Sequence, residues 1–247
     1  MLALILREIA TTHGRTRGGY LWAVIEPIAA VALLVVVFSV AFEKPPLGRS
    51  FALFYASGYL PFMIYSDLAQ KIGVSLRFSK PLLAYPAVTW WDALCARFVL
   101  NTLTHMVVFI VVLGAILIWE PRTLRLDLPL VLAGIGLAAA LGFSLGALNA
   151  YLFEATPAWE RIWAIANRPL FIMSGVLFLP DAVPDPYGEW LLYNPLVHVI
   201  GMLRAGVYPG YSAAWVDTGF VLEVTAVLLI PALVLLRANA RDLLMQG

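Results

Sequence analysis

The sequence predicts an all-α polytopic membrane protein forming one transmembrane domain over residues 1–247. Four observations predict it. Hydrophobic residues make up 62% of the chain and charged residues only 13%, against about 25% charged in an average soluble domain. Mean hydropathy is +0.88, so too little polar surface exists to cover a water-exposed globule. Six apolar runs recur, each matching the roughly 20 helical residues a hydrocarbon core requires. Lys and Arg fall mainly in alternate connections between those runs, as the positive-inside rule expects.

Residues 1–17 open the chain with an amphipathic segment. Leu2, Ile5, Leu6 and Ile9 share one helical face, and Arg7, Glu8 and Thr12 fall away from it. Such a helix is expected to lie flat in the interface. The first span covers 21–42. This run of 22 residues, Leu21 to Phe42, exceeds a signal-peptide core and is expected to remain as a span. The others cover 54–76, 97–119, 129–152, 163–180 and 213–236. Eleven of the sixteen Lys and Arg residues then lie on one side, including Arg7, Arg15, Arg17, Lys71, Arg77, Lys80, Arg97, Arg161 and Arg168. Both termini are therefore expected in the cytoplasm.

Small residues Gly134, Ala138, Gly142, Gly146 and Ala150 repeat every fourth position of the fourth span, which predicts close helix packing. The cytoplasmic connection 77–92 holds "RFSKPLLAYPAVTWWD". Pro81 suits a first helical turn and Pro86 its end, giving a single turn, Pro81 to Tyr85. Leu82, Leu83 and Tyr85 would then be presented as an apolar docking surface. The outer segment 181–212 is too broken by Pro and Gly to span and too apolar for a solvated loop. It predicts two short helices, Trp190 to Leu192 and Leu196 to Leu203, interrupted at Asn194-Pro195. Backbone of this kind at membrane depth needs shelter from protein or a water-filled cavity.

The chain lacks the signatures of several activities. It holds no G-x-x-x-x-G-K-[ST] phosphate loop and no H-E-x-x-H. Gly134-Ile135-Gly136 lies inside a span with no strand before it, so it is no dinucleotide site. His13, His105 and His198 are far apart, so no metal site is expected, and Cys95 stands alone, which excludes an intrachain disulfide. A net charge of +1 offers no field for nucleic acid. His105, Asn101 and Thr104 are expected to bond between helices. Glu26 and Asp67 fall near cytoplasmic span ends, and Glu26 is placed to pair with Arg168. Aromatic residues crowd the second and fifth spans, with Tyr59, Tyr65, Trp163 and Phe171 among them. Interfacial belts account for most such residues, but Tyr59 and Phe171 lie mid-span, where faces suited to sugar rings become the alternative.

Three stretches together carry a family resemblance. "RTRGGYLWAVIEP", "SKPLLAYPAVTWWDALCAR" and "LLYNPLVHVIGMLRAGVYPGY" occur in this order across nearly the whole chain. They resemble the membrane subunit of ABC-2-type polysaccharide exporters, the capsule-exporter permeases of the KpsM/Wzm kind. The Trp90-Trp91 pair is bulkier than that pattern. The resemblance implies a non-enzymatic permease in a bacterial inner membrane, working as two copies with two ABC ATPase subunits. ATP and Mg would bind those partners, and this chain would hold no cofactor. Periplasmic and outer-membrane export components would be further partners, and a lipid-linked glycan the substrate. Lys80, Pro81, Leu82, Leu83, Ala84, Tyr85 and Pro86 would form the segment coupling to the ATPase. The first and fifth spans would line a channel, with Arg15, Arg17, Trp22, Glu26, Tyr59, Tyr65, Trp163, Arg168 and Phe171 at its entrance or wall. Trp190, Tyr193, Asn194, Pro195 and Arg204 would form a periplasmic gate. Other amphiphiles on the same fold, such as O-antigen, a teichoic-type polymer or a drug, are alternative cargoes. A membrane-embedded transferase using Asp67 or His105 is the alternative from another class.

Overall fold

The computed structural model describes residues 19–83, 88–119 and 126–245. Among them every regular element is helical, and no strand occurs. The helices are α1 (Gly19–Ala41), α2 (Phe51–Gly73), α3 (Ser75–Leu83), α4 (Trp90–Trp119), α5 (Leu128–Ala155), α6 (Pro157–Met173), α7 (Tyr187–Leu191), α8 (Pro195–Val207) and α9 (Thr218–Met245). A 3-10 turn, Pro180–Ala182, lies between α6 and α7. The expected amphipathic segment 1–17 lies outside the described residues.

Among the described residues, four helices are long and apolar enough to cross a membrane: Leu21–Ala41, Trp90–Trp119, Leu128–Ala155 and Thr218–Asn239. Helix α2 has 23 residues but is not among them. The reason is its place in the fold. It is the central post, packed on α1, α4, α5 and α8. Much of its surface faces protein, so Ser57 and Tyr65 are buried away from hydrocarbon and Asp67 lies 3.3 Å from His105 of α4. Ser50 starts the helix by accepting the Leu53 N–H at 3.2 Å.

The most extensive packing is α2 on α5, and the small-residue stripe makes it possible. A Cβ on Gly142 would lie 2.9 Å from the Tyr65 carbonyl oxygen, and one on Gly146 would lie 2.8 Å from Ile72 Cβ. Farther along, a Cβ on Gly134 would sit 3.0 Å from Leu203 Cβ of α8. The stripe thus serves two neighbours in turn. Ala138 and Ala150 are fully buried along it.

Three expectations shift. The fifth run is expected at 163–180, but α6 covers Pro157–Met173. Thr156 leaves helical geometry at φ −141°, and Pro157 restarts the chain as a first-turn proline. The resulting 17 residues span about 26 Å, short of a hydrocarbon core of about 30 Å. In the inner connection, Pro81 does not begin a helix. It sits inside α3, which already starts at Ser75. A proline near the C-terminal end of a helix forfeits only the bond to the Arg77 carbonyl, so the helix runs on to Leu83. Ala84, Tyr85 and Pro86 lie outside the described residues, as does the Leu83 side chain. In the outer segment two short helices do form around Asn194-Pro195, but as Tyr187–Leu191 and Pro195–Val207. Asn194 caps α8, its Oδ1 accepting the Leu196 N–H at 3.0 Å. Its amide donates to the Met173 carbonyl at 3.1 Å, satisfying the end of α6. Helix α8 is almost wholly buried, which shelters its backbone.

Candidate functional site

Helix α6 is held at both ends by an arginine from elsewhere in the chain. At its N-terminal end the residue is Arg77 of α3. Arg77 Nε lies 3.2 Å from Glu154 Oε1 in the last turn of α5. Its Nη1 lies 2.9 Å from Glu160 Oε2 in the first turn of α6, and Nη2 donates to the Phe153 carbonyl at 3.3 Å. The bond to Glu160 outweighs partial burial and raises the guanidinium pKa further, so the charge is permanent. Arg77 is still 48% exposed at its side chain, so solvent and salt reach the pair.

Past the C-terminal end of α6 the residue is Arg204 of α8, which is 1% exposed. Its Nη1 donates to the carbonyls of Gly175 and Phe178 at 2.8 and 3.1 Å, and its Nη2 to that of Val176 at 3.0 Å. The guanidinium also stacks on the Phe54 ring, 4.2 Å from its centroid. Three carbonyls bind it in the place of a carboxylate, which suits a fork of fixed geometry. Gly58 leaves the room: a Cβ there would come 2.9 Å from Arg204 Nη2 and 3.1 Å from the Val176 backbone. Gly175 takes φ 79°, a conformation that glycine adopts without a steric penalty. Arg204, expected in the gate, is buried and clasps the backbone that follows α6.

Between the clasps α6 lays its aromatic face on α2. Trp163 is buried, and Trp159 Nε1 donates to Asn149 Oδ1 at 3.0 Å. Asn167 donates to Ser66 Oγ at 2.6 Å. Phe171 meets Tyr59 and Phe62 edge-on, at centroid distances of 6.3 and 5.2 Å. Tyr65 is also buried. Within one chain, Tyr65 and Trp163 therefore face protein, and Tyr59 and Phe171 mostly face each other. Exposed instead are Ile162, Ile165, Arg168, Ile172 and Met173 on the opposite face of α6. On α1, Trp22 is 64% exposed and Glu26 is exposed as well. Glu26 does not pair with Arg168: among the described residues no ion pair joins them. Arg15 and Arg17 lie outside the described residues.

The inner half holds a second polar group of side chains. Asp67 Oδ2 lies 2.9 Å from Lys71 Nζ and 3.3 Å from His105 Nε2. Arg97 of α4 donates to the Lys71 carbonyl at 2.7 Å and stacks on Phe78 of α3 at 4.7 Å. Thus His105 does reach another helix, but Asn101 and Thr104 do not. Their side chains donate to the Arg97 and Leu100 carbonyls of their own helix, at 2.7 and 2.9 Å. A short polar side chain inside a helix finds the carbonyl four residues back without needing a neighbour. Among the described residues no group of three His, Cys, Asp or Glu could hold a metal.

The expected gate set divides. Trp190 and Tyr193 stand out at the surface, Tyr193 at 78% exposure, while Asn194 and Pro195 are half-buried at the start of α8. Sequence reasoning missed the residues that brace this end. Asp181 accepts from Tyr211 Oη at 2.9 Å and from Trp215 Nε1 at 2.8 Å. His198 Nδ1 accepts the Asp217 N–H at 2.9 Å while Nε2 donates to the Leu192 carbonyl at 2.7 Å. Only the spread of Pro, Gly and aromatic residues through 181–212 hinted at this folding-back. The partners of Arg77 stand 77 and 83 residues away, and no local pattern marks them.

A helical bundle with lipid-facing apolar helices, a protein-buried polar post and a clasped amphipathic helix defines an integral membrane protein of the multi-pass kind. Comparison with known proteins narrows the class. A profile of the family described as ABC-2 type transporter matches residues 1–208, and the chain belongs to that family. It is therefore a transporter permease. The chain is 31% identical over 98% of its length to the polysialic acid transport protein KpsM of Escherichia coli, of which 94% is covered. It is 23% identical over 92% of its length to the capsule polysaccharide export inner-membrane protein CtrC of Neisseria meningitidis, covering 86% of that chain. The corresponding protein BexB of Haemophilus influenzae is 23% identical over 95% of this chain and 89% of its own length.

Proposed function

We propose that this chain is the permease subunit of an ATP-driven exporter that moves a lipid-linked capsular polysaccharide across a bacterial inner membrane. The near full-length likeness to a polysialic acid transport protein carries this reading. Two copies work with two ABC ATPase subunits, which bind ATP and Mg. The permease itself performs no chemistry. Six spans, formed by the four long apolar helices together with α2 and α6, put both termini in the cytoplasm. Residues 1–17 lie in the interface near the glycan's point of access, with Arg15 and Arg17 there.

The segment Lys80 to Pro86 docks on the ATPase. Helices α1 and α6 border the glycan path, with Trp22, Glu26 and Arg168 exposed to it. Trp190, Tyr193, Asn194 and Pro195 form the outer gate, and further periplasmic and outer-membrane components continue the route. The test is deletion of the gene in the producing cell. Surface polysaccharide should fall to background while lipid-linked glycan accumulates inside. Unchanged surface polysaccharide overturns the reading, and loss of O-antigen or a teichoic-type polymer in its place corrects the cargo.

A further inference from the structure

We propose that Arg77 is the positioning residue through which the coupling segment moves α6. The proposal rests on the reading that Lys80 to Pro86 docks an ATPase and that α6 borders the glycan path. Arg77 and Lys80 lie on one short helix, Ser75–Leu83, about 4.5 Å apart along its axis. A force on the docked segment therefore reaches Arg77 without a flexible joint. From there its guanidinium grips both sides of the α5–α6 elbow, at Glu154, Phe153 and Glu160. A single residue outside both helices, Thr156, makes that elbow, so a pull on Glu160 shifts the inner end of α6 against α5.

A second side-chain contact of α3 leads elsewhere. Phe78 stacks under Arg97, which belongs to α4. The outer end of α6 runs into backbone clamped by a buried arginine, which supplies a fixed point for the swing. Half exposure suits Arg77 to contacts that shift in each cycle. Lysine cannot replace it fully, because one ammonium does not serve two carboxylates with the geometry of the fork.

The experiment uses the assembled complex of this chain and its ATPase in membrane vesicles. Ile165→Cys, on the exposed face of α6, is placed in a Cys95→Ser background and labelled with a water-soluble maleimide. Labelling is compared without nucleotide and with ATP held by a hydrolysis-blocked ATPase. With Arg77 intact, nucleotide should change the labelling rate. Arg77→Met should shrink that change at least about fivefold, the lower end of ordinary coupling factors, while ATPase retention persists, as does ATP hydrolysis in the complex with the unblocked ATPase. Arg77→Lys should restore part of it. Glu160→Gln, which leaves α3 intact, should reproduce the loss.

A full nucleotide response in Arg77→Met or in Glu160→Gln overturns the proposal. So does loss of the ATPase from Arg77→Met, which would make Arg77 a docking or folding group. Absence of any response with Arg77 intact removes α6 as the moving part. A complex that retains no ATPase at all, Arg77 being intact, removes the exporter reading itself.

Discussion

The two arginine clasps on α6 use the same side chain in opposite ways. Arg204 is sealed from water and binds three carbonyls, so its loss strands a whole turn of backbone. Arg77 is half exposed and binds two carboxylates, of which Glu160 is the more open to water. The difference teaches where stiffness and mobility belong. A guanidinium inside the fold fixes geometry because no solvent competes. At the rim, screening leaves only a small energy per pair, about 0–1 kcal/mol, yet the contact still sets direction.

Arg204→Ala should break the comparison hardest. It removes a charged donor from three carbonyls and leaves a cavity beside Phe54. Each bond to a charged group contributes about 1.5–3 kcal/mol, so the purified protein should lose at least about 3 kcal/mol and aggregate on warming. A detergent melting curve checks this, and an unshifted midpoint would make the outer clasp ornamental. Arg204→Lys should recover only a fraction, since an ammonium cannot span Gly175, Val176 and Phe178 together.

Gly58→Ala probes the same clasp from α2. Its Cβ would press on Arg204 Nη2 at 2.9 Å and on the Val176 backbone, and overpacking of this sort costs about 1–3 kcal/mol. The midpoint should fall, but less than for Arg204→Ala. Next comes the inner side. Leu83→Asp combined with Tyr85→Asp should abolish copurification of the ATPase while leaving the melting curve nearly unchanged. Retention equal to that of the unmutated chain would move the docking surface away from Lys80 to Pro86. Arg77→Met should then show the contrast directly, with a melting shift no larger than about 2 kcal/mol implies for its two pairs but with coupling lost.

The smallest effect belongs to the outer brace. Tyr211→Phe removes one hydrogen bond to Asp181, worth about 1 kcal/mol. Burial, with that bond second, raises the Tyr211 pKa above its ordinary 10.0. A raised folded value means the contribution is complete below pH 10 and is lost as pH climbs through the folded value. The Tyr211→Phe difference should therefore be constant between pH 6 and 9 and vanish only in strong alkali. A difference that already disappears near neutrality would contradict the bond.

Much of the fold was legible without coordinates. Apolar length identified α1, α4, α5 and α9, because lipid demands an unbroken hydrocarbon surface. Four-residue spacing of small side chains marked the packing face of α5, and Asn194-Pro195 marked the break before α8. The candidate site was legible only in part. Tyr65 and Trp163 are channel residues by the family resemblance alone, because an aromatic residue reads the same whether it faces a channel or a neighbour. Their burial between α2 and α6 depends on how those helices are turned. Arg77 and Arg204 were read as topology and gate residues, since charge alone says which side of a membrane a residue prefers.

By itself, then, the sequence determined that the chain is helical and membrane-embedded, where most helices run, and to which transporter family it belongs. Those properties follow from hydropathy summed over a window and from residue order, both of which are local. Only the tertiary structure decided that α2 is the protected post, that α6 stops at Met173, and that one arginine grips each end of it. These depend on contacts between residues far apart in the chain. Such contacts arise from the packing of whole helices, and no window of neighbouring residues contains both partners.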